Sequence, residues 1–224
     1  MNRVLLVMPA SLQRRGLGQK FSSETLEVVM NQKPQARVGV ISKFLFALLL
    51  LGSFQASIAK EFVWAPDFPV GASIPEISAQ DQDGNVQTFD DLVGERGMLF
   101  MMSRSFDWCP YCKAQLVQLA AISDLIEDMG ISVVAMTYDS VKTLKAVQED
   151  EGIHFPFLHD EDVTHVNAFG IRNTKYKPGD RTYGIPYPGI FLIDSNGVIK
   201  AKFAEKRYQD RPLLEDVLMA FSKL

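Results

Sequence analysis

Five consecutive apolar residues, Met98-Leu99-Phe100-Met101-Met102, lead through a short loop into Cys109-Pro110-Tyr111-Cys112, and a helical pattern starts there. An apolar run of that length reads as a strand buried on both faces. Pro110 fits the first position of a helix, where a missing N–H costs nothing. From there Leu116, Leu119, Ala120, Ile122, Leu125 and Ile126 recur at helical spacing, and Gly130 is expected to end the helix. Residues 131–138, Ile-Ser-Val-Val-Ala-Met-Thr-Tyr, then read as a second buried strand. A strand–helix–strand start of this kind is the beginning of a layered α/β domain.

The rest of the chain fits that start. Residues 140–151 read as a helix, Phe155-Pro156-Phe157-Leu158 as a short extended piece, and 161–169 as a short helix. Residues 176–187 are rich in Pro, Gly and charge and read as loop. Gly189-Ile190-Phe191-Leu192-Ile193-Asp194 reads as a third strand. Asn196-Gly197 tolerates the positive φ of a hairpin turn, so 198–203 returns as a fourth strand beside the third. Leu213, Leu214, Val217, Leu218 and Phe221 lie on one face of a closing helix over 211–224. Upstream, Val70-Gly71 to Pro75 opens the domain, and Asp81-Gln82-Asp83-Gly84-Asn85 is a turn between the arms of a short hairpin. The expected architecture is a central mixed β-sheet flanked by helices on both faces.

Residues 1–59 are expected to lie outside this fold. Residues 44–54 form an uncharged apolar run preceded by Lys33, Arg37 and Lys43 and followed by Ser57-Ile58-Ala59. A basic start, an apolar centre and a small-residue cleavage site are the three parts of a secretory signal peptide, with the cut after Ala59. The alternative is an uncleaved membrane anchor, but eleven residues fall short of the roughly 17–25 that span a bilayer. Met30 precedes the basic stretch and is a natural start of translation. Export, to the periplasm, follows from this reading, and no stable membrane insertion is expected after cleavage. The 165 residues that remain, 60–224, suit one domain. They carry 16 basic and 25 acidic side chains, a net charge of −9. Such a surface is a poor match for nucleic acid or an anionic membrane.

An exported protein folds where disulfides persist. Cys109 and Cys112 are the only cysteines, and both lie in the mature part. A loop of two intervening residues makes a weak structural staple, so the spacing favours redox chemistry. A cysteine at a helix N-terminus has its thiolate stabilised by unpaired N–H groups and the helix dipole. Cys109 is therefore the expected exposed nucleophile. Cys112, one turn on, can attack a mixed disulfide formed at Cys109. Pro110 and Tyr111 set the turn. Trp108 is expected either to shield the site or to fill the core.

With Val70-Gly71…Pro75, Trp108-Cys109-Pro110-Tyr111-Cys112-Lys113 and Pro188-Gly189-Ile190-Phe191-Leu192-Ile193-Asp194 on the page, the chain resembles the thioredoxin-fold superfamily. The resemblance is to its redoxin branch, related to the alkyl hydroperoxide reductase/thiol-specific antioxidant (AhpC/TSA) family, and runs from Val70 to about Phe203. It implies a thioredoxin-like three-layer fold. It also implies a cis Tyr187–Pro188 bond beside the dithiol, with the Tyr187 backbone pairing to bound substrate. The alternatives are an ordinary trans proline, or Pro186 in that role.

The departures from the family matter. Thioredoxins carry a buried acid where Ser103 stands here. Arg104 and Asp107 are nearby charges; Arg104 can favour the Cys109 thiolate, but is expected to be an exposed loop residue. The peroxiredoxin Thr and Pro positions are Phe106 and Met102, and the peroxidatic arginine falls near Pro188. Glutaredoxins share Cys-Pro-Tyr-Cys, without other matching features here. His154, His159 and His165 lie over forty residues from Cys112, unlike a compact zinc site, so no metal and no cofactor is expected. The sequence reading is thus an exported thiol–disulfide oxidoreductase acting on protein thiols with a redox partner protein. Its rivals are a thiol peroxidase and a binding module with an inert disulfide.

Overall fold

Strand β3 (Gly97–Met102) has all six residues buried and sits between two equally apolar neighbours in a seven-stranded sheet. The computed structural model describes residues 62–224, within the compact unit Lys60–Leu224. The expected signal peptide, its cleavage after Ala59 and the start at Met30 all lie outside the described residues.

The strands are β1 (Ser78–Asp81), β2 (Val86–Thr88), β3, β4 (Ile131–Thr137), β5 (Phe157–His159), β6 (Gly189–Asp194) and β7 (Ile199–Phe203), in the spatial order β2-β1-β5-β4-β3-β6-β7. The helices are α1 (Phe89–Leu92), α2 (Pro110–Ala120), α3 (Ser123–Asp128), α4 (Val141–Glu151), α5 (Thr164–Ala168) and α6 (Leu214–Met219). β3, β4 and β5 run parallel, while β6 pairs antiparallel to β3 and β7 antiparallel to β6. β1 pairs antiparallel with both β2 and β5.

The period of two along each strand divides the core into two layers. Leu99 and Met101 of β3, with Ile190 and Leu192 of β6, face Leu116 and Leu119 of α2, Leu144 of α4 and Val217 of α6. Met98, Phe100 and Met102, with Phe191 and Ile193, face Trp64, Val166, Phe169 and Ile171. Each such side chain stabilises the fold by about 1.5–3 kcal/mol relative to exposure. Helices on both faces of a mixed sheet make the three-layer α/β fold that the sequence implies.

Three expected elements end differently. The helix from Pro110 stops at Ala120 because Ile122 leaves helical geometry at φ −127°, and Ser123 Oγ takes the freed carbonyl of Ala120 at 3.0 Å. A second helix, α3, then restarts and buries Ile126 in the core. The short helix over 161–169 splits at Asp162 and Val163, both left-handed. Such geometry costs about 1–2 kcal/mol per residue; the buried Asp160 carboxylate offsets it by accepting from the backbone N–H of His165 (2.7 Å) and Val166 (3.0 Å). The closing helix begins only at Leu214 and finishes as a 3-10 turn, Ala220–Lys223. Residues 204–213 form an irregular strap instead.

The loop after β3 is pinned from the next strand. The buried Asp139 carboxylate accepts from Ser105 Oγ (2.8 Å), the Phe106 backbone N–H (2.6 Å) and Thr137 Oγ1 (2.9 Å). Ser105 Oγ in turn accepts from the backbone N–H of Asp107 (3.1 Å) and Trp108 (3.2 Å). Substituting Asp139→Ala is expected to lower stability by about 3 kcal/mol, because buried donors lose a charged acceptor. Urea unfolding checks this, and a loss below about 1 kcal/mol would show that the loop is held by other contacts.

Candidate active site

Cys109 is the N-cap of α2, with Pro110 at its first position. The Cys109 carbonyl accepts from the backbone N–H of Cys112 and of Lys113, each at 3.0 Å, which closes the first turn over the two sulfurs. Both thiols are free and buried, Cys109 at 1% exposure and Cys112 at 0%, which corrects the expectation of an exposed Cys109. Asp107, Trp108, Pro110 and Tyr111 around them are exposed, so Cys109 lies directly beneath surface residues.

The two sulfurs are coupled, and the surroundings of Cys112 favour its thiolate. The Cys109 thiol donates to the Cys112 sulfur, the backbone N–H groups of Ser105 and Arg104 point at it, and the Arg211 guanidinium adds attraction. Together these outweigh burial and bring Cys112 from 9.0 down to about 6. Cys109 moves the other way, held protonated first by that same hydrogen bond and then by burial. The N-cap position favours charge on Cys109, and the cation beside the other sulfur works against it.

Two arginines enclose the pair. Arg104 is only 5% exposed, which corrects the expectation of an exposed loop residue. Its guanidinium lies over the ring of Tyr208 at 3.9 Å and over that of Trp108 at 5.1 Å, and its Nε has no hydrogen-bond partner. Arg211, on the strap, places Nη2 3.4 Å from Cys112 Sγ and donates through Nη1 to the carbonyls of Tyr208 and Asp210. Among the described residues neither arginine forms an ion pair with a carboxylate. Tyr208 also meets Tyr111 edge-on at 6.0 Å. Arg211 and Tyr208 carry no motif and stand about a hundred residues from Cys112, so no local sequence pattern marks them.

Trp108 is a surface residue, 37% exposed, and not core filler. Its Nε1 donates to the Tyr138 hydroxyl at 2.9 Å. Burial pushes the Tyr138 phenol above its ordinary value, so it stays neutral and able to accept. Trp108, Tyr138, Arg181 and Thr182 line a cavity of about 240 Å³ beside the motif. Tyr111 is 44% exposed on the other side of Cys109.

Pro188 precedes β6, and the Met102↔Gly189 register sets it opposite Ser103, at the root of the catalytic loop. The expected cis bond is not found: Tyr187–Pro188 is trans. The Tyr187 backbone, expected to pair with substrate, makes internal hydrogen bonds here. Its N–H donates to the Ile171 carbonyl (2.8 Å), and its carbonyl accepts from Trp64 Nε1 (2.9 Å). Trp64 packs so closely that a Cβ at Gly189 would stand 2.5 Å from its ring. Pro186, the rival position, pairs in an isolated bridge with Arg172.

The histidines do not join the thiols. His165 is buried between the Asp160 carboxylate (Nδ1, 2.9 Å) and the Ser78 backbone N–H (Nε2, 3.2 Å). His159 Nδ1 meets the Asp139 carbonyl at 2.9 Å, and His154 is exposed. His159 and His165 line a cavity of about 320 Å³ that no cysteine touches. Among the described residues, no group of three or more His, Cys, Asp or Glu is placed to hold a metal ion.

The chain is 27% identical over 132 residues to a putative peroxiredoxin bcp of Coxiella burnetii, covering 59% of this chain and 85% of that one. It is 24% identical over 170 residues to the thiol-disulfide oxidoreductase ResA of Geobacillus thermodenitrificans, covering 75% and 87%. In fold it is similar to peroxidoxin BcpB of Mycobacterium tuberculosis, with a TM-score of 0.58, 16% identity, and coverage of 70% and 96%. The family model described as AhpC/TSA matches residues 70–202, which hold the sheet, the Cys109–Cys112 helix and Pro188, and the chain belongs to that family.

Proposed function

We propose that this chain is an exported thiol–disulfide oxidoreductase that exchanges a Cys109–Cys112 dithiol/disulfide with protein thiols and is turned over by a redox partner protein. The observation that carries the reading is the geometry of the two free thiols, Cys109 at the N-cap of α2 and Cys112 one turn on, with the Arg211 guanidinium 3.4 Å from Cys112 Sγ. Cys112 is the better leaving group because its thiolate is the stabilised one, and departure is faster from a low-pKa thiol. An incoming sulfur therefore bonds to Cys109, which lies beneath exposed residues. The exposed Trp108 and Tyr111 rings and the cavity beside Trp108 give a substrate segment an apolar seat.

The peroxidase reading draws on the same family, since most of its named relatives are peroxiredoxins. The local chemistry favours disulfides. Phe106 and Met102, at the peroxiredoxin Thr and Pro positions, are both fully buried in the core, and Phe106 packs on Phe157 with ring centroids 5.2 Å apart. Neither brings a hydroxyl to the sulfur. Export rests on the three-part pattern ahead of Lys60. Among the described residues no helix is long and apolar enough to cross a membrane.

A Cys112→Ser variant is expected to accumulate mixed disulfides with protein thiols at Cys109, seen as adducts that reductant removes. The reduced wild type is expected to consume hydrogen peroxide no faster than a free thiol of similar pKa. Absence of adducts together with peroxide consumption at least a hundredfold above free thiol would reverse the assignment, since general acid–base and positioning effects supply about that much.

The reduced protein is expected to show one thiolate absorbance step with a midpoint near pH 6. A thiol whose folded value is depressed adds stability that is complete above its unfolded value of 9.0 and is lost as pH falls through about 6. Reduced protein is therefore expected to gain stability between about pH 6 and pH 9 relative to Cys112→Ser. Denaturant titrations at several pH values check this; parallel pH profiles would refute it.

A further inference from the structure

Two guanidinium groups act on the dithiol from separate elements. Arg104 comes from the loop after β3, and Arg211 from the strap that crosses the site between β7 and α6. Burying a cation without an anion is strongly unfavourable, and proteins avoid it by pairing. Here the Nε of each arginine is buried without a hydrogen-bond partner, and neither arginine has a carboxylate partner among the described residues. The anion within reach of Arg211 is the thiolate of the reduced cysteines. Arg211 Nη2 is 3.4 Å from Cys112 Sγ. Oxidation to the disulfide removes that charge and leaves both guanidiniums facing neutral sulfur.

We propose that Arg104 and Arg211 are positioning residues that favour the reduced dithiol over the disulfide, so that the pair acts as a disulfide donor, and that the strap carrying Arg211 closes on the reduced form and loosens on the oxidised one. The inference rests on the thiol–disulfide reading above and adds its direction and its control. The two halves are one free energy, because whatever the thiolate gains from a closed strap, the closed strap gains from the thiolate.

The strap is built for such coupling. Its outer part, Glu205, Lys206 and Arg207, is exposed and makes a turn in which Asp210 N–H donates to the Arg207 carbonyl at 3.0 Å. It is held over the motif at Tyr208, between the Arg104 guanidinium and the Tyr111 ring, and at Arg211 on the Cys112 sulfur. Only the last of these contacts depends on redox state. Loosening it in the oxidised form uncovers the disulfide when a substrate thiol must reach it.

The reaction balances in this direction. A substrate thiolate attacks Cys109 Sγ of the disulfide, a new S–S bond forms, and the Cys109–Cys112 bond breaks. The electron pair goes to Cys112, which leaves as the thiolate beside Arg211. A second substrate thiolate attacks the substrate sulfur of the mixed disulfide, and Cys109 departs and takes a proton. Two substrate thiols become one disulfide, two electrons pass to the cysteine pair, and one proton is released to solvent. A partner protein with a more oxidising disulfide restores the starting state.

The test equilibrates wild type, Arg211→Gln, Arg211→Lys and Arg104→Met with glutathione buffers and reads the oxidised fraction by thiol alkylation and mass. Arg211→Gln and Arg104→Met are expected to hold their disulfide roughly five- to tenfold more firmly than wild type, where tenfold is about 30 mV for a two-electron couple. Arg211→Lys keeps the charge and is expected to stay within about twofold of wild type, since one stabilised thiolate still faces a cation. Amide hydrogen exchange over 205–213 is expected to be faster in oxidised than in reduced wild type, and equal in both states of Arg211→Gln. An Arg211→Gln equilibrium constant within twofold of wild type, or exchange in wild type that ignores redox state, overturns the proposal. Arg211 is only half-buried, so its variants report even if Arg104→Met does not fold. If Cys112→Ser traps no partner while the glutathione equilibrium shifts as stated, the substrate reading fails and this one stands.

Discussion

The Asp139 carboxylate fixes where the chemistry happens. β3 and β4 run parallel and in register, with Met102 opposite Met136, so their C-terminal ends coincide and the loops that follow them meet. Asp139 leaves β4 and binds the loop leaving β3 at Ser105 and Phe106. That one clamp sends Phe106 down into the core and lets Asp107 and Trp108 rise to the surface. The chain can then turn into α2 with Cys109 at its head. Without the clamp, the first turn of α2 has no fixed place relative to the sheet. The dithiol sits at the carboxyl edge of the parallel strands, where open α/β sheets place their sites.

Above this clamp, the site solves an electrostatic problem in an uncommon way. Arg104 is held by two aromatic faces instead of a carboxylate. A cation over an aromatic ring gains about 0.5–2 kcal/mol, less than an ion pair in a dry site but enough to orient the group. Orientation by rings leaves the positive charge uncancelled, and a nearby sulfur feels it. Arg211 reaches the second sulfur through the strap, which keeps the two cations on separate elements. The mobility of one element can then respond to the charge on the dithiol without disturbing the other.

The parts of the molecule written in local pattern were legible in the sequence. The strands at 97–102, 131–137 and 189–194 are continuous apolar runs, and Pro110 and Asn196-Gly197 mark a helix start and a hairpin through backbone chemistry alone. The dithiol was legible because its spacing is its chemistry. What escaped depends on contacts distant in sequence. The helix breaks at Ile122 while Ile126 still reaches the core, so the apolar spacing continues smoothly past the break and does not mark it. The Tyr187 backbone was assigned to substrate on family resemblance, but Trp64 and Ile171 already fill it, and Trp64 lies 123 residues away. Residues 211–213 carry the pattern of a helix, yet Arg211 is drawn out of it to Cys112, and Leu213 is left exposed.

Ser103 bears on the same balance of charge. In a thioredoxin, an acid at this position trades protons with the sulfurs; here the side chain is a buried hydroxyl whose Oγ has no hydrogen-bond partner. A hydroxyl there carries no charge of its own, so the charges that act on the sulfurs are those of Arg104 and Arg211. Serine at 103 leaves the charge of Arg104 to the dithiol, and the polarity of the site is set by what the chain leaves out as much as by the two cysteines it supplies.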